Sequence, residues 1–104
     1  MSTAADNDYR TVLVLMKGTD ADATLDALEA SGQTVNVTDE GPYWKLRSND
    51  DIYVDMEAVE EELGAPITLA KWLVTMTSFV GFADTGATHF AVRVDRGSAV
   101  TREG

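Results

Sequence analysis

The chain has 104 residues, 44% of them apolar, and carries 8 Lys and Arg against 18 Asp and Glu, a net charge of −10. That length supports one domain with a single core. The acidic balance argues against nucleic acid and anionic membranes, which require clustered cations, and it favours a basic protein partner or simple solubility. There is no cysteine, which rules out disulfides, thiolate metal sites and cysteine nucleophiles and fits a cytoplasmic protein.

Residues 1–8 are polar, with neither a basic start nor an apolar segment, so they are not a secretory signal and are expected to be a disordered tail. A single domain is expected over 9–96, with a frayed tail over 97–104. No apolar run approaches the ~20 residues of a membrane helix. Val12 to Met16 is nearly continuous in apolar residues and predicts a strand covered on both faces. After Lys17-Gly18, Thr19 reads as a helix N-cap, with Asp22 three residues on. Ala21, Leu25 and Leu28 mark one face of a helix over Asp20 to Ser31, which Gly32 ends.

Gln33 to Thr38 alternates Val35 and Val37 with polar residues, a half-exposed strand, and Asp39 to Pro42 is a turn. Tyr43 to Ser48 predicts a strand with Trp44 and Leu46 on one side. Ile52 to Val54 predicts another. Asp55 caps a helix over Met56 to Leu63 that buries Met56, Val59 and Leu63 and is stopped by Gly64 and Pro66. Thr68 caps one further turn, Leu69 to Lys71.

From Trp72 onward, Trp72, Val74 and Met76 alternate with Leu73, Thr75 and Thr77. Phe90, Val92 and Val94 alternate with His89, Ala91 and Arg93. Period 2 predicts two strands joined by a turn over Phe82 to Ala87. The first of them carries a small polar run, Thr75, Thr77 and Ser78. The element order is two successive strand-helix-strand-strand units. With hairpin-short connections and two main helices, that order predicts an α+β fold with a largely antiparallel sheet.

Residues suited to catalysis are few. His89 is the sole histidine, and on a strand beside Thr88 it reads as an exposed or satisfied residue rather than a base. Glu57, Glu60, Glu61 and Glu62 lie on the polar side of their helix with no histidine nearby, so they read as a solvated face and not as metal ligands. Asp84-Thr85-Gly86 is a hairpin loop, and no glycine is followed by the Lys-Ser or Lys-Thr of a phosphate loop. Three classes remain: a protein-binding accessory subunit, a small-ligand-binding sensor of ferredoxin-like type, and a small enzyme using acids and hydroxyls. A polar run on a strand with no base or metal ligand near it favours the first.

Several segments, in order, resemble a known family: Val12 to Lys17, Thr34 to Val37, Tyr43 to Leu46, Ile52 to Asp55 followed by Leu63-Gly64, and Thr77 to Gly81. They resemble the coupling (effector) proteins of soluble diiron monooxygenases, the regulatory components of methane, phenol, toluene and alkene oxidation systems. The resemblance covers about Val12 to Val94. It implies helices and antiparallel sheet meeting at a corner, no cofactor, and binding to the α-subunit of a separate diiron hydroxylase. There the effector tunes oxygen activation, substrate access and the coupling of NADH electrons, which a reductase or ferredoxin delivers.

Carried over by position, the resemblance makes Thr75, Thr77, Ser78, Phe79 and Gly81 the residues that contact the hydroxylase. Ser78-Phe79 is similar to the phenol and toluene types, whereas Tyr43-Trp44 and the first strand are similar to the methane type. The long N-terminal tail of the methane type has no counterpart here. This mixture implies an alkene, isoprene or short-alkane system. By its residue type Phe79 is either an apolar anchor for the partner or a core residue. Trp44 and Trp72 are expected in the core.

Overall fold

β1 (Thr11–Met16) lies inside a four-stranded antiparallel sheet, between β3 (Tyr43–Ser48) and β5 (Met76–Val80), and β2 (Asn36–Asp39) completes the order β2-β3-β1-β5. That interior position is why its apolar run is unbroken: Val12, Leu13 and Leu15 are all buried. A second antiparallel sheet has the order β4-β7-β6, from β4 (Ile52–Asp55), β7 (His89–Arg93) and β6 (Phe82–Thr85). Helices α1 (Thr19–Ala30), α2 (Met56–Leu63) and the short α3 (Leu69–Thr75) pack on them. The fold is α+β, as expected. This computed structural model describes residues 9–94, so the two expected tails and residues 95 and 96 lie outside the described residues.

One buried cluster joins both sheets and all three helices. It includes Leu13, Leu15 and Leu46 of the first sheet, Ile52, Val54, Phe90 and Val92 of the second, and Ala27, Leu28, Val59 and Trp72 from the helices. The Trp72 ring lies 5.3 Å from that of Phe90.

Local chemistry sets the helix ends. The Asp55 carboxylate accepts from the Glu57 N–H at 3.2 Å, and Gly64 closes α2 in the left-handed conformation. Thr68 caps α3 by accepting from the Lys71 N–H at 3.1 Å. Glu60, expected on the wet side of α2, instead accepts the Ile67 N–H at 2.9 Å and pins the α2–α3 loop.

Four expectations are corrected. The N-cap of α1 is Gly18, with no side-chain cap. Thr19 is already helical, and the Asp22 carboxylate is taken by the Trp44 indole N–H at 3.2 Å. Trp44 itself is half-buried rather than core. Trp72 to Thr75 is helix, not strand. Leu69, Trp72, Leu73 and Met76 also satisfy i, i+3, i+4, i+7, and all four turn to the core.

Finally, the last two expected strands do not pair. β5 joins β1 in the first sheet while β7 joins β4 and β6 in the second, and the expected turn over Phe82 to Ala87 contains β6. Gly81 carries the chain from one sheet to the other at φ 126°. A Cβ there would stand 2.7 Å from Val92 Cγ1 and 2.8 Å from the Arg93 carbonyl oxygen, so only glycine passes without displacing backbone.

Candidate partner-docking edge

Among the described residues strand β5 pairs with β1 alone, and its other edge has no strand partner. The pairing sets Val80 opposite Val12, Phe79 opposite Leu13, Ser78 opposite Val14 and Met76 opposite Leu15. Thr77 is therefore the extra residue of a β-bulge. Its hydroxyl donates to the Val14 carbonyl at 3.2 Å, which ties the bulge down from outside. Thr77, Ser78, Phe79 and Val80 are exposed. Thr75 ends α3 and shares a cleft of about 230 Å3 with Met16, Lys17, Gly18 and Val74.

The structure thus brings Thr75, Thr77, Ser78, Phe79 and Gly81 onto one continuous run of chain, but their surroundings differ. Ser78 lies exposed at the edge, whereas the Thr77 hydroxyl already donates to the Val14 carbonyl. Phe79 is 38% exposed, and its inner side packs edge-on against Phe90 with centroids 5.9 Å apart. Gly81 is the passage between sheets.

Sequence reasoning missed Val74, Val80 and Phe82, which are 77%, 56% and 54% exposed. The available signal was the helical reading of Leu69 to Met76, which turns Val74 outward. Between Lys71 and Asp84 there is no charged residue. Sheet edges are normally blunted by charge or proline. The opposite edge, β2, is so protected: its Asp39 pairs with Lys17 at 2.5 Å. That contact and the Gly41 N–H hold the Asp39 carboxyl below the usual range. The β5 edge has no such protection beyond its bulge.

Charge gathers just past Gly81. Arg93 donates from Nε to Asp84 at 2.5 Å and from Nη1 to Asp51 at 3.0 Å, and Asp51 also accepts the Val94 N–H at 2.7 Å. The Arg93 hydrogen bond lowers the Asp84 pKa, and the two carboxylates raise that of Arg93. The His89 ring stacks on Tyr53, centroids 5.0 Å apart, with Nε2 3.8 Å from Asp84. Any Cβ on Gly86 would strike that ring, so His89 serves as packing for the β6–β7 hairpin. Among the described residues no group of three or more His, Cys, Asp or Glu is placed to hold a metal ion, and no helix is long and apolar enough to cross a membrane.

Fold and edge together define a small α+β protein with an exposed, uncharged strand at one edge of its first sheet. The chain belongs to the MmoB/DmpM family, whose model matches residues 10–93. It is 30% identical over 86 residues to methane monooxygenase regulatory protein B of Methylosinus trichosporium, covering 78% of this chain and 62% of that protein. It is 36% identical over 59 residues to the protein of the same name from Methylococcus capsulatus (Bath), covering 57% of this chain and 42% of that one. The chain thus spans less than two thirds of either relative.

Among solved structures, it superposes on soluble methane monooxygenase regulatory protein B with a TM-score of 0.62 at 26% identity, covering 92% of this chain and 70% of that one. It superposes on a chain of a phenol hydroxylase–regulatory protein complex with a TM-score of 0.72 at 16% identity, covering 82% of this chain and 98% of that one, a likeness of fold alone.

Proposed function

We propose that this protein is the non-catalytic regulatory component of a soluble diiron monooxygenase, docking on the α-subunit of the hydroxylase in the cytoplasm. The family match over residues 10–93 carries this reading. Its relatives are regulatory proteins of methane monooxygenase, and one structural neighbour is part of a hydroxylase–regulator complex. The open β5 edge supplies the surface. Thr75, Thr77 and Ser78 offer hydroxyls for adaptable hydrogen bonding, Phe79 offers the outer face of a ring, and Gly81 sets the bend that presents them.

Docked there, the protein tunes oxygen activation, substrate access and the coupling of NADH oxidation, through the system's reductase or ferredoxin, to oxidation of an alkene, isoprene or a short alkane. A regulator acts this way only through unequal affinity for the states of its partner. The ferredoxin-like sensor alternative draws no support from the topology, because the strands divide between two sheets instead of forming one βαββαβ layer.

The test is steady-state hydrocarbon oxidation by the cognate hydroxylase and reductase with this protein titrated in. Product formed per NADH is expected to rise and to peak near stoichiometry. An active hydroxylase that shows neither change nor complex overturns the reading.

A further inference from the structure

At the far end of the first sheet from β5, an open groove of about 400 Å3 runs between α1 and the β2–β3 ribbon. Its apolar wall is Leu25, Leu28, Val35, Val37 and Trp44. The volume falls in the range of ligand sites, ~300–1,000 Å3. Asp26 and Glu29 of α1 stand at its lip, both exposed and neither in an ion pair among the described residues. Gln33, also at the lip, is already committed: it donates to the Tyr53 carbonyl and accepts the Tyr53 N–H, both at 2.8 Å.

Helix α1 contains four acids, Asp20, Asp22, Asp26 and Glu29, and no base. The groove is therefore apolar within and acidic along one side, whereas the β5 edge has no charge at all from Trp72 to Ala83. Two surfaces of such different character, at opposite ends of one sheet, fit two different binding partners or two separate parts of one.

We propose that this groove is a second docking site, for a basic amphipathic segment of a protein. An apolar side chain of that segment enters against Leu25, Val35 and Val37, and a flanking Lys or Arg pairs with Asp26 and Glu29. Leu25 to Glu29 spans four residue steps of α1, about 6 Å of helix, which sets Asp26 and Glu29 along one lip beside Leu25 and Leu28. The groove's open side admits a chain passing through, and the acidic lip selects its charge. This site stands whether or not the β5 edge binds a hydroxylase.

Tryptophan emission of the whole protein tests it. Trp72 is sealed in the core, so a change on binding reports Trp44 in the groove wall. The probes are a short amphipathic Leu/Lys peptide, the same pattern in Leu/Glu, and hexylamine. The Leu/Lys peptide is expected to shift the emission saturably and to lose affinity at about 0.5 M salt. Asp26→Asn with Glu29→Gln is expected to weaken it roughly tenfold. Val37→Phe, which fills the groove without changing charge, is expected to abolish the shift while the melting curve stays intact.

No shift with the Leu/Lys peptide overturns the proposal. So does binding unchanged by Val37→Phe, which is attraction to the net charge alone. An equal response to the Leu/Glu peptide, or the same saturable shift from hexylamine at equal concentration, overturns the assignment to a basic protein segment.

Discussion

The Phe79 ring meets Phe90 edge-on, centroids 5.9 Å apart and planes at 74°, while 38% of Phe79 stays exposed. The residue therefore belongs to both core and surface. A fully buried Phe→Ala costs ~3–5 kcal/mol, and the half-exposed ring here sets the expected loss for Phe79→Ala at about 2 kcal/mol, the edge-on pair included. The proposed function adds that the same variant binds hydroxylase more weakly at temperatures where it is fully folded. Urea unfolding and a binding titration on one preparation separate the two effects. A stability loss with unchanged affinity removes Phe79 from the docking surface.

Gly81 makes a sharper stability prediction. A Cβ there meets Val92 and the Arg93 carbonyl at under 3.0 Å, and φ 126° is closed to other residues. Gly81→Ala is expected to cost more than about 3 kcal/mol. Gly64→Ala is the control: it has φ 75° but open space around it, so it is expected to cost only ~1–2 kcal/mol. Equal melting temperatures for the two variants contradict the close approach at the crossing between sheets.

How much of this was legible in the sequence differs by element. Strand β3 and helix α2 fall where their patterns place them, because alternation at Tyr43 to Ser48 and the Asp55 and Gly64 caps are local signals. The stretch after Thr68 fits two periods at once. Trp72, Val74 and Met76 alternate like a strand, and Leu69, Trp72, Leu73 and Met76 follow a helix. Tertiary burial of Trp72 decides for the helix as far as Thr75. The polar run was legible as a surface, but its position on an open edge was not. Edge position depends on β5 pairing with β1, more than sixty residues earlier. Val80 and Phe82 look like core residues in sequence and are exposed because the chain changes sheets between them.

A buried relay ties α3 to α1. The Trp72 indole N–H donates to the Thr24 hydroxyl at 2.9 Å, and that hydroxyl donates to the Asp20 carbonyl at 2.8 Å. Thr24→Val keeps the shape but leaves the indole N–H buried without an acceptor, at an expected cost of ~1–3 kcal/mol. Trp72→Phe in the Thr24→Val background removes that orphan donor. The double variant is expected to cost less than the sum of the single losses. Strict additivity in denaturant titrations shows that the relay contributes nothing as a unit.

Acid sensitivity follows from Asp84. Its folded pKa lies below its ordinary value because Arg93 hydrogen-bonds the ionised form. Its contribution is therefore present above the unfolded pKa, about 3.9, and is lost as pH falls through the folded value. Arg93, raised by the same contact, loses its part only at extreme alkaline pH. Asp84→Asn is expected to lower Tm modestly near neutrality, since the pair is solvent-exposed. That difference is expected to shrink below about pH 3. A gap in Tm that is constant from neutral to acid pH assigns the effect to packing instead.

The proposed regulatory role makes a claim about binding that the protein's own stability cannot test. If docking through β5 shifts the hydroxylase toward an oxygen-reactive state, affinity must differ between its oxidised and reduced forms, because equal affinity shifts nothing. A tenfold shift in that equilibrium requires about 1.4 kcal/mol of difference in binding. Titrating the resting and the chemically reduced hydroxylase anaerobically with this protein measures that difference directly. Since the proposed contact residues, Thr75 to Gly81, include no charged side chain, both affinities are expected to change little with salt. Equal affinity for the two forms removes redox-state selection as the mechanism, and a steep salt dependence moves the docking surface away from β5.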